Sequence, residues 1–508
     1  MKKIVIILLM LRSAFCFGQI TFQERLGTIH NEAAVGVAAL SDTGLMLYAI
    51  HSIGSNDTFC LVKTDKWGNL RWGKKYWANG IVMNYSFQKL SDGNFLIAAR
   101  NNSTSSHLLL FEINDSGNVL WNKSYSLPIG ITSSRPIHKT NDGGFIIPFF
   151  SDETIFRNST FCGLIKTDSV GNVSWCKSYQ VDSINIFTMT IEQMEDSGYL
   201  FIGLNLNYSG TGNVNFSIKL DASGNIIHAN QFDELSLGFN DRLQRISSNS
   251  YLLASDKYMY CFDSTANLVW EKRFSEQIII NSSLLIDNNR IALSGYSYDS
   301  SGTDAVFIEV DSLGQIQKSK KYGGSFRDYC LSFCAMPDSG FCLAGKTESF
   351  GADSVDIYLV KIDSDGNSGC NEIPFTLTST PVVNNLFPFT MNVSNLSPLI
   401  GSDTIYSDPI FLNQNILCSN VTSVREEPLL NFEFQIYPNP TPNILNIKSI
   451  SSKEETFVEI INVFGEVVDT EKLLGKSEYV VNPNLSTGIY FVSMRVKEKF
   501  IVKKLVVE

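Results

Sequence analysis

The sequence predicts an all-β chain, a seven-bladed β-propeller followed by a smaller β domain. Three observations carry that expectation: a turn signal recurring seven times in the first 370 residues, apolar strands flanking each copy, and a strand-rich region with different motifs after residue 431. The 508 residues hold 40 Lys and Arg against 51 Asp and Glu, a net charge of -11. Counterion-release binding to nucleic acid or to an anionic lipid surface therefore has no basic face to rest on.

At the N-terminus Lys2 and Lys3 precede the apolar run Ile4 to Leu11, and a short polar stretch ends in small residues suited to cleavage before Gln19. Residues 1–18 read as a secretory signal peptide. The run is shorter than the roughly 18 apolar residues a spanning helix needs, and no later stretch is longer, so no membrane span is expected. Cys16 lies near the cleavage site, but Phe15 stands where lipoprotein acylation requires a small residue. Nine cysteines remain, an odd number for an exported chain, so at least one thiol stays free. Cys330, Cys334 and Cys342 are spaced like metal ligands but have no His nearby, and neither a metal site nor a cofactor is expected.

The repeat reads Asp-x-x-Gly-Asn at Asp65, Asn114, Asp168, Asp221, Asp263, Asp311 and Asp363, with variants in the later copies. The first positions lie 49, 54, 53, 42, 48 and 52 residues apart, near the length of a four-stranded propeller blade. Asp accepts backbone N–H bonds at the first turn position and Gly takes the φ > 0 position, which closes a tight hairpin. After each turn one strand face carries Trp72, Trp121, Trp175 and Trp270, then Lys74, Lys123, Lys177, Lys272 and Lys320, then Tyr76, Tyr125, Tyr179, Phe232, Phe274 and Tyr322. A second turn signal, such as Ser41-Asp42-Thr43-Gly44 or Pro337-Asp338-Ser339-Gly340, lies upstream in each copy, so each repeat makes four strands.

The seventh copy loses its last strand, because Cys370 and Pro374 stand where Trp and the aromatic are expected. Residues 20–28, of which Phe22 to Gly27 resemble Trp270 to Phe274, are expected to supply that strand and close the ring, giving a propeller over residues 19–370. The Asp turn followed by an outer-strand Trp resembles the repeats of quinoprotein-like propellers, although nothing marks a quinone or its metal. Residues 371–430 show no periodicity and read as a linker partly laid against the propeller, bracketed by Cys370 and Cys418, which are placed to form a disulfide.

From Phe432 strand alternation returns over residues 431–508. Tyr437-Pro438-Asn439-Pro440, then Ile461-Asn462-Val463-Phe464-Gly465, then Thr487-Gly488-Ile489-Tyr490-Phe491, then Lys503-Lys504 resemble the type A C-terminal sorting domain of the type IX secretion system. That resemblance implies a small immunoglobulin-like β-sandwich recognised by the outer-membrane machinery of a Gram-negative bacterium and cut by a sortase-like protease. The cargo is then delivered through the periplasm to the cell surface or the medium.

No nucleophile elbow, zinc-binding helix motif or phosphate loop is present, and the five His residues fall at unrelated phases of the repeat. No catalytic residue is assigned. Asp363-Ser364-Asp365-Gly366-Asn367 has some likeness to a calcium loop, but its Gly comes too early. The connections of variable length share one face of the ring, where Tyr208, Tyr296, Tyr298 and Phe350 are candidate stacking surfaces, with Asp299 among the polar partners. Two readings follow: a non-catalytic module for an extracellular glycan or protein, and alternatively an extracellular polysaccharide hydrolase or lyase whose carboxylates converge only in three dimensions.

Overall fold

The computed structural model describes residues 19–421 and 434–507 apart from short internal stretches, the longest being 153–159, 207–213, 233–241 and 450–455. The expected signal peptide lies outside the described residues. Among the described residues all regular elements are strands, arranged as seven sheets plus two more sheets at the C-terminus. Blade 1 comprises Asn31–Ala39, Leu45–Ile53, Asn56–Thr64 and Leu70–Trp77, from hub to rim. Blades 2 to 6 begin at Val82–Lys89, Ser133–Ser134, Asn185–Gln193, Leu243–Ser247 and Ile278–Asp287. Blade 7 holds Asp328–Ala335, Phe341–Thr347 and Asp356–Ile362, and Ile20–Gly27 pairs antiparallel with the last of these. The inner strands of blades 7 and 1 touch, so the ring is closed.

The seven turns are built alike. Asp65 Oδ1 accepts the Trp67 and Asn69 amides at 2.8 and 2.9 Å while Gly68 takes φ +87°. Equivalent bonds form at Asn114, Asp168, Asp221, Asp263, Asp311 and Asp363. The repeated Trp, Lys and Tyr explain themselves by what they hold, which is the turn of the next blade. The hydroxyls of Tyr76, Tyr125, Tyr179 and Tyr322 donate to the carbonyls of Gly117, Gly171, Gly224 and Gly366 at 2.6–2.8 Å. Lys74 Nζ donates to the Ser116 carbonyl at 2.8 Å, and Trp72 packs so closely that a Cβ on Gly117 would stand 2.9 Å from it. Blades 1, 2, 3 and 6 thus latch their successors by hydrogen bonds that keep buried hydroxyls satisfied, whereas blades 4 and 5 carry Phe232 and Phe274 at that position.

Residues 371–430 are not a linker over the part described, which reaches Val421. They form a belt that adds a strand to the rim of every blade, running backwards round the ring. Glu372–Ile373 pairs with blade 6, Ser379–Val382 with blade 5, Leu386–Pro388 with blade 4 and Asn392–Asn395 with blade 3. Leu399–Gly401, Tyr406–Pro409 and Asn413–Val421 follow on blades 2, 1 and 7. The blades therefore carry a further strand beyond the four read from the repeat. A bare rim strand would present a row of unpaired N–H and C=O groups, and the belt covers it. Its own strands are mostly short and include Pro381, Pro388 and Pro409, which suit an outermost strand because Pro lacks an N–H to offer a further partner. Cys370 and Cys418 are disulfide-bonded, Cα–Cα 6.5 Å, on either side of Gln23, joining the belt's beginning to its end at blade 7. The other seven cysteines of the exported chain are unbridged, six of them buried.

The chain divides between Thr422 and Ser423. The second unit has a three-stranded sheet (Phe434–Tyr437, Leu445–Ser449, Glu478–Val481) and a four-stranded sheet (Thr456–Asn462, Val467–Leu473, Gly488–Val496, Lys499–Val507). Leu445 and Ile447 from the first sheet share one core with Val458, Ile460, Tyr490, Val492 and Leu505 from the second.

Candidate functional site

On the variable-loop face, buried carboxylates stand where the outer strand of one blade passes to the inner strand of the next. Asp328 Oδ2 accepts the Gly324 amide at 2.7 Å and the Ser349 hydroxyl at 2.6 Å, and Oδ1 accepts the Thr347 hydroxyl. Burial, reinforced by the Asp304 charge, raises the Asp328 carboxyl above its usual range. One blade on, Glu32 accepts the Thr28 amide at 2.9 Å, with the Thr28 hydroxyl and His51 Nδ1 at 2.6 Å on its other oxygen. Asp356 pairs with Arg25 at 2.6 Å and Asp304 with Lys321 at 3.1 Å. The shared i, i+4 geometry of Thr28/Glu32 and Gly324/Asp328 marks them as caps of equivalent connections. Asp304 and Asp328 do converge: a Cβ on Gly323 would stand 2.6 and 2.8 Å from their oxygens, so only glycine fits there. Sequence reasoning did not single out these carboxylates, although a carboxylate five or six residues after the strand end in two copies is an available signal.

The aromatic candidates divide. Tyr296 and Tyr298 share one face of Arg290–Asp299. The Tyr296 ring meets Tyr329 edge-on at 4.8 Å, and Lys346 Nζ lies 4.5 Å from the Tyr329 ring centre. Tyr298 is 42% exposed, with its hydroxyl on Gln277 Oε1 at 3.3 Å. Phe350 instead turns inward onto Tyr358, ring centres 5.5 Å apart, and Tyr208 lies outside the described residues. Asp299 sits 3.8 Å from Lys321. Tyr329 joins the group without having been singled out, because it comes from a different blade.

Among the described residues no group of three His, Cys, Asp or Glu is placed to hold a metal ion. At the would-be calcium loop, Asp363 is engaged by the amides of Asp365 and Asn367, and Asp365 pairs with Lys318 at 3.0 Å. His51, His107 and His138 each pair with a carboxylate: Glu32, Asp403 of the belt, and Glu192. At the hub lies a partly open cavity of about 420 Å³ lined mainly by inner strands.

In the second unit Asn439 bridges to the last strand, donating to the Lys504 carbonyl at 2.7 Å and accepting the Val506 amide at 2.8 Å. Pro438 and Pro440 flank it, both with cis peptide bonds. Tyr490 is buried and donates to the Ser486 carbonyl at 2.9 Å, with Gly488 alongside its ring. Tyr437, Asn439, Lys503 and Lys504 line one shallow surface depression. Gly465 lies outside the described residues.

Residues 435–508 match the family model described as the secretion system C-terminal sorting domain. The chain is thus a type IX secretion cargo, a propeller carrying its sorting domain at the C-terminus, and that domain implies export to the cell surface or medium and contact with the secretion machinery. No curated protein matches the chain. Among solved structures, a fungal alcohol oxidase of the AA5 family in complex with copper is 9% identical at TM-score 0.41, covering 96% of this chain and 99% of that one. A Penicillium chrysogenum alpha-L-arabinanase is 10% identical at TM-score 0.39, covering 68% and 98%. A Fusarium graminearum alpha-L-arabinofuranosidase is 11% identical at TM-score 0.34, with the same coverages. At these scores the likenesses carry no argument about activity; the propeller architecture rests on the strand pairings. No helix among the described residues is long and apolar enough to cross a membrane.

Proposed function

We propose that the exported propeller is a non-catalytic binding module that captures an extracellular glycan on the variable-loop face of blades 6 and 7. The observation that supports this reading is the group of Tyr296, Tyr329 and Tyr298 beside Lys346, partly exposed, on a face whose buried carboxylates already serve as caps and ion-pair partners. Aromatic rings with a polar edge suit the mixed apolar and hydroxyl surface of a sugar. On a glycan array, the mature protein is expected to retain a defined set of glycans. Y296A combined with Y329A should weaken that binding at least ~10-fold, the usual effect of removing an aromatic anchor. A blank array, or a double variant that binds as before, sinks the proposal.

The hydrolase or lyase reading has one observation in its favour, the convergence of Asp304 and Asp328 at Gly323. Polysaccharide cleavage by the wild type that is lost in both D304N and D328N would replace the binding reading.

For the sorting domain, an immunoglobulin-like sandwich in this reading, the exposed Tyr437 and Lys504 together with Lys503 form the patch met by the outer-membrane machinery and the sortase-like protease. Asn439, Pro438, Pro440, Gly488 and Tyr490 hold its shape, and Gly465 belongs to the same motif. Deleting residues 431–508 should strand the protein in the periplasm, as fractionation and surface labelling would show; normal surface delivery contradicts the assignment.

A further inference from the structure

The hub cavity carries an inference separate from the aromatic group, with which it shares no residue. It is lined from the inner strands of blades 1, 2, 6 and 7, with Pro136 and Arg242 at the approaches to blades 3 and 5. β-Bulges recur at one place in the innermost strands of blades 1, 2, 4, 6 and 7: between Ala34 and Gly36, Asn84 and Ser86, Thr188 and Thr190, Ile280 and Ser282, and Cys330 and Ser332. A bulge re-aims side chains, here at the hub.

The charge of the lining is opposite to that of the chain. In a protein of net charge -11, the charged residues among the described lining of the cavity are Arg242 and Lys89, and none is a carboxylate. Arg242 donates to the Gln88 side-chain carbonyl at 3.1 Å and forms no ion pair among the described residues; Glu192, whose charge acts on it, is held by His138 at 3.0 Å. Lys89 Nζ donates to the neutral Ala39 carbonyl at 2.5 Å and forms no ion pair with a carboxylate among the described residues. Arg242 is half-buried, and the planar fork of its guanidinium matches a carboxylate. Gln88, Asn281, Ser282 and Ser332 add neutral polar groups, while Phe87 and Phe333 supply apolar wall. The volume of about 420 Å³ suits a ligand of one or two sugar units.

We propose that the hub cavity binds a small carboxylate-bearing ligand of the sugar-acid type, its carboxylate on Arg242 and its hydroxyls on the surrounding amides and hydroxyls. Isothermal titration of the mature protein with sodium glucuronate and sodium galacturonate is expected to show binding of at least one. Glucose and sodium sulfate serve as neutral and inorganic-anion controls and should not compete. Arg242→Met should weaken uronate binding at least ~10-fold, as should Gln88→Glu, which sets a carboxylate of the chain itself against the guanidinium. Two variants guard against one that fails to fold, and thermal melts report which have folded. The inference is overturned if neither uronate binds the wild type, if a folded variant binds as the wild type does, or if sulfate binds through Arg242 and the uronates do not. Because Y296A with Y329A leaves this cavity intact, loss of array binding in that variant with retained uronate binding separates the two sites.

Discussion

Replacing both Cys370 and Cys418 by Ser is expected to lower the unfolding midpoint by about 5 °C, corresponding to ~4 kcal/mol in the chain-entropy treatment of a bridge closing a loop of this length. The bridge spans 48 residues of sequence, and those residues pair with the rim of every blade. Most belt strands have little core of their own: Val383 and Phe411, between strands, are 94% and 87% exposed. What holds them is backbone pairing plus a few anchors, among them Asp403 on His107 and Asn384 on Glu271. Without the bridge, the belt should be cut first in limited proteolysis, with the four inner strands of each blade protected longer. Scanning calorimetry with and without reductant checks the effect. Identical midpoints for wild type and double variant would show that strand pairing alone fixes the belt.

A comparably large effect is expected at Glu24. In five blades the equivalent position holds Lys, facing the next turn; in the closing strand it is Glu24, whose oxygen would lie 2.6 Å from a Cβ on Gly68. Gln414 of the belt donates to one carboxylate oxygen at 2.7 Å, while the other is buried with no hydrogen-bond partner among the described residues. Burial, with a smaller contribution from Asp65, pushes the Glu24 pKa up from 4.5 to about 8. A folded-state pKa above the unfolded one means that the folded chain keeps this proton after the unfolded chain has released it. The contribution to stability is therefore fully present below about pH 4.5, falls as pH rises, and is lost above about pH 8. E24Q removes that dependence and should stabilise the protein at pH 7 by roughly 3 kcal/mol at most, at 1.36 kcal/mol per pKa unit, while changing little at pH 4. Melting curves from pH 4 to 9 test this. Parallel profiles for wild type and E24Q would show that Glu24 titrates normally.

The repeat was legible because each copy states its own chemistry within a dozen residues: Asp65 and Gly68 make the turn, and Trp72, Lys74 and Tyr76 form one face of the next strand. Its purpose was not legible, since the partner of Tyr76 is the carbonyl of Gly117 in another blade. The belt left almost no trace in the sequence. Strands such as Leu386–Pro388 and Leu399–Gly401 are too short for alternation to show, and an outermost strand exposed on both faces needs no apolar pattern at all. Only the cysteines bracketing it were visible. The site was legible in part: Tyr296 and Tyr298 could be placed by topology, whereas Tyr329 meets Tyr296 from the inner strand of blade 7 and Phe350, on the same face by sequence, is claimed by Tyr358.

The belt also acts as a tape measure. It takes one short strand per blade, in reverse order, and Cys418 comes back to Cys370 only after seven rims have been passed. A ring of six or eight blades would bring Cys418 up one blade away from its partner, with both thiols unpaired. Formation of this single bond, in the oxidising compartment the protein enters on export, thus certifies the circumference: it records that all blades are present and in order.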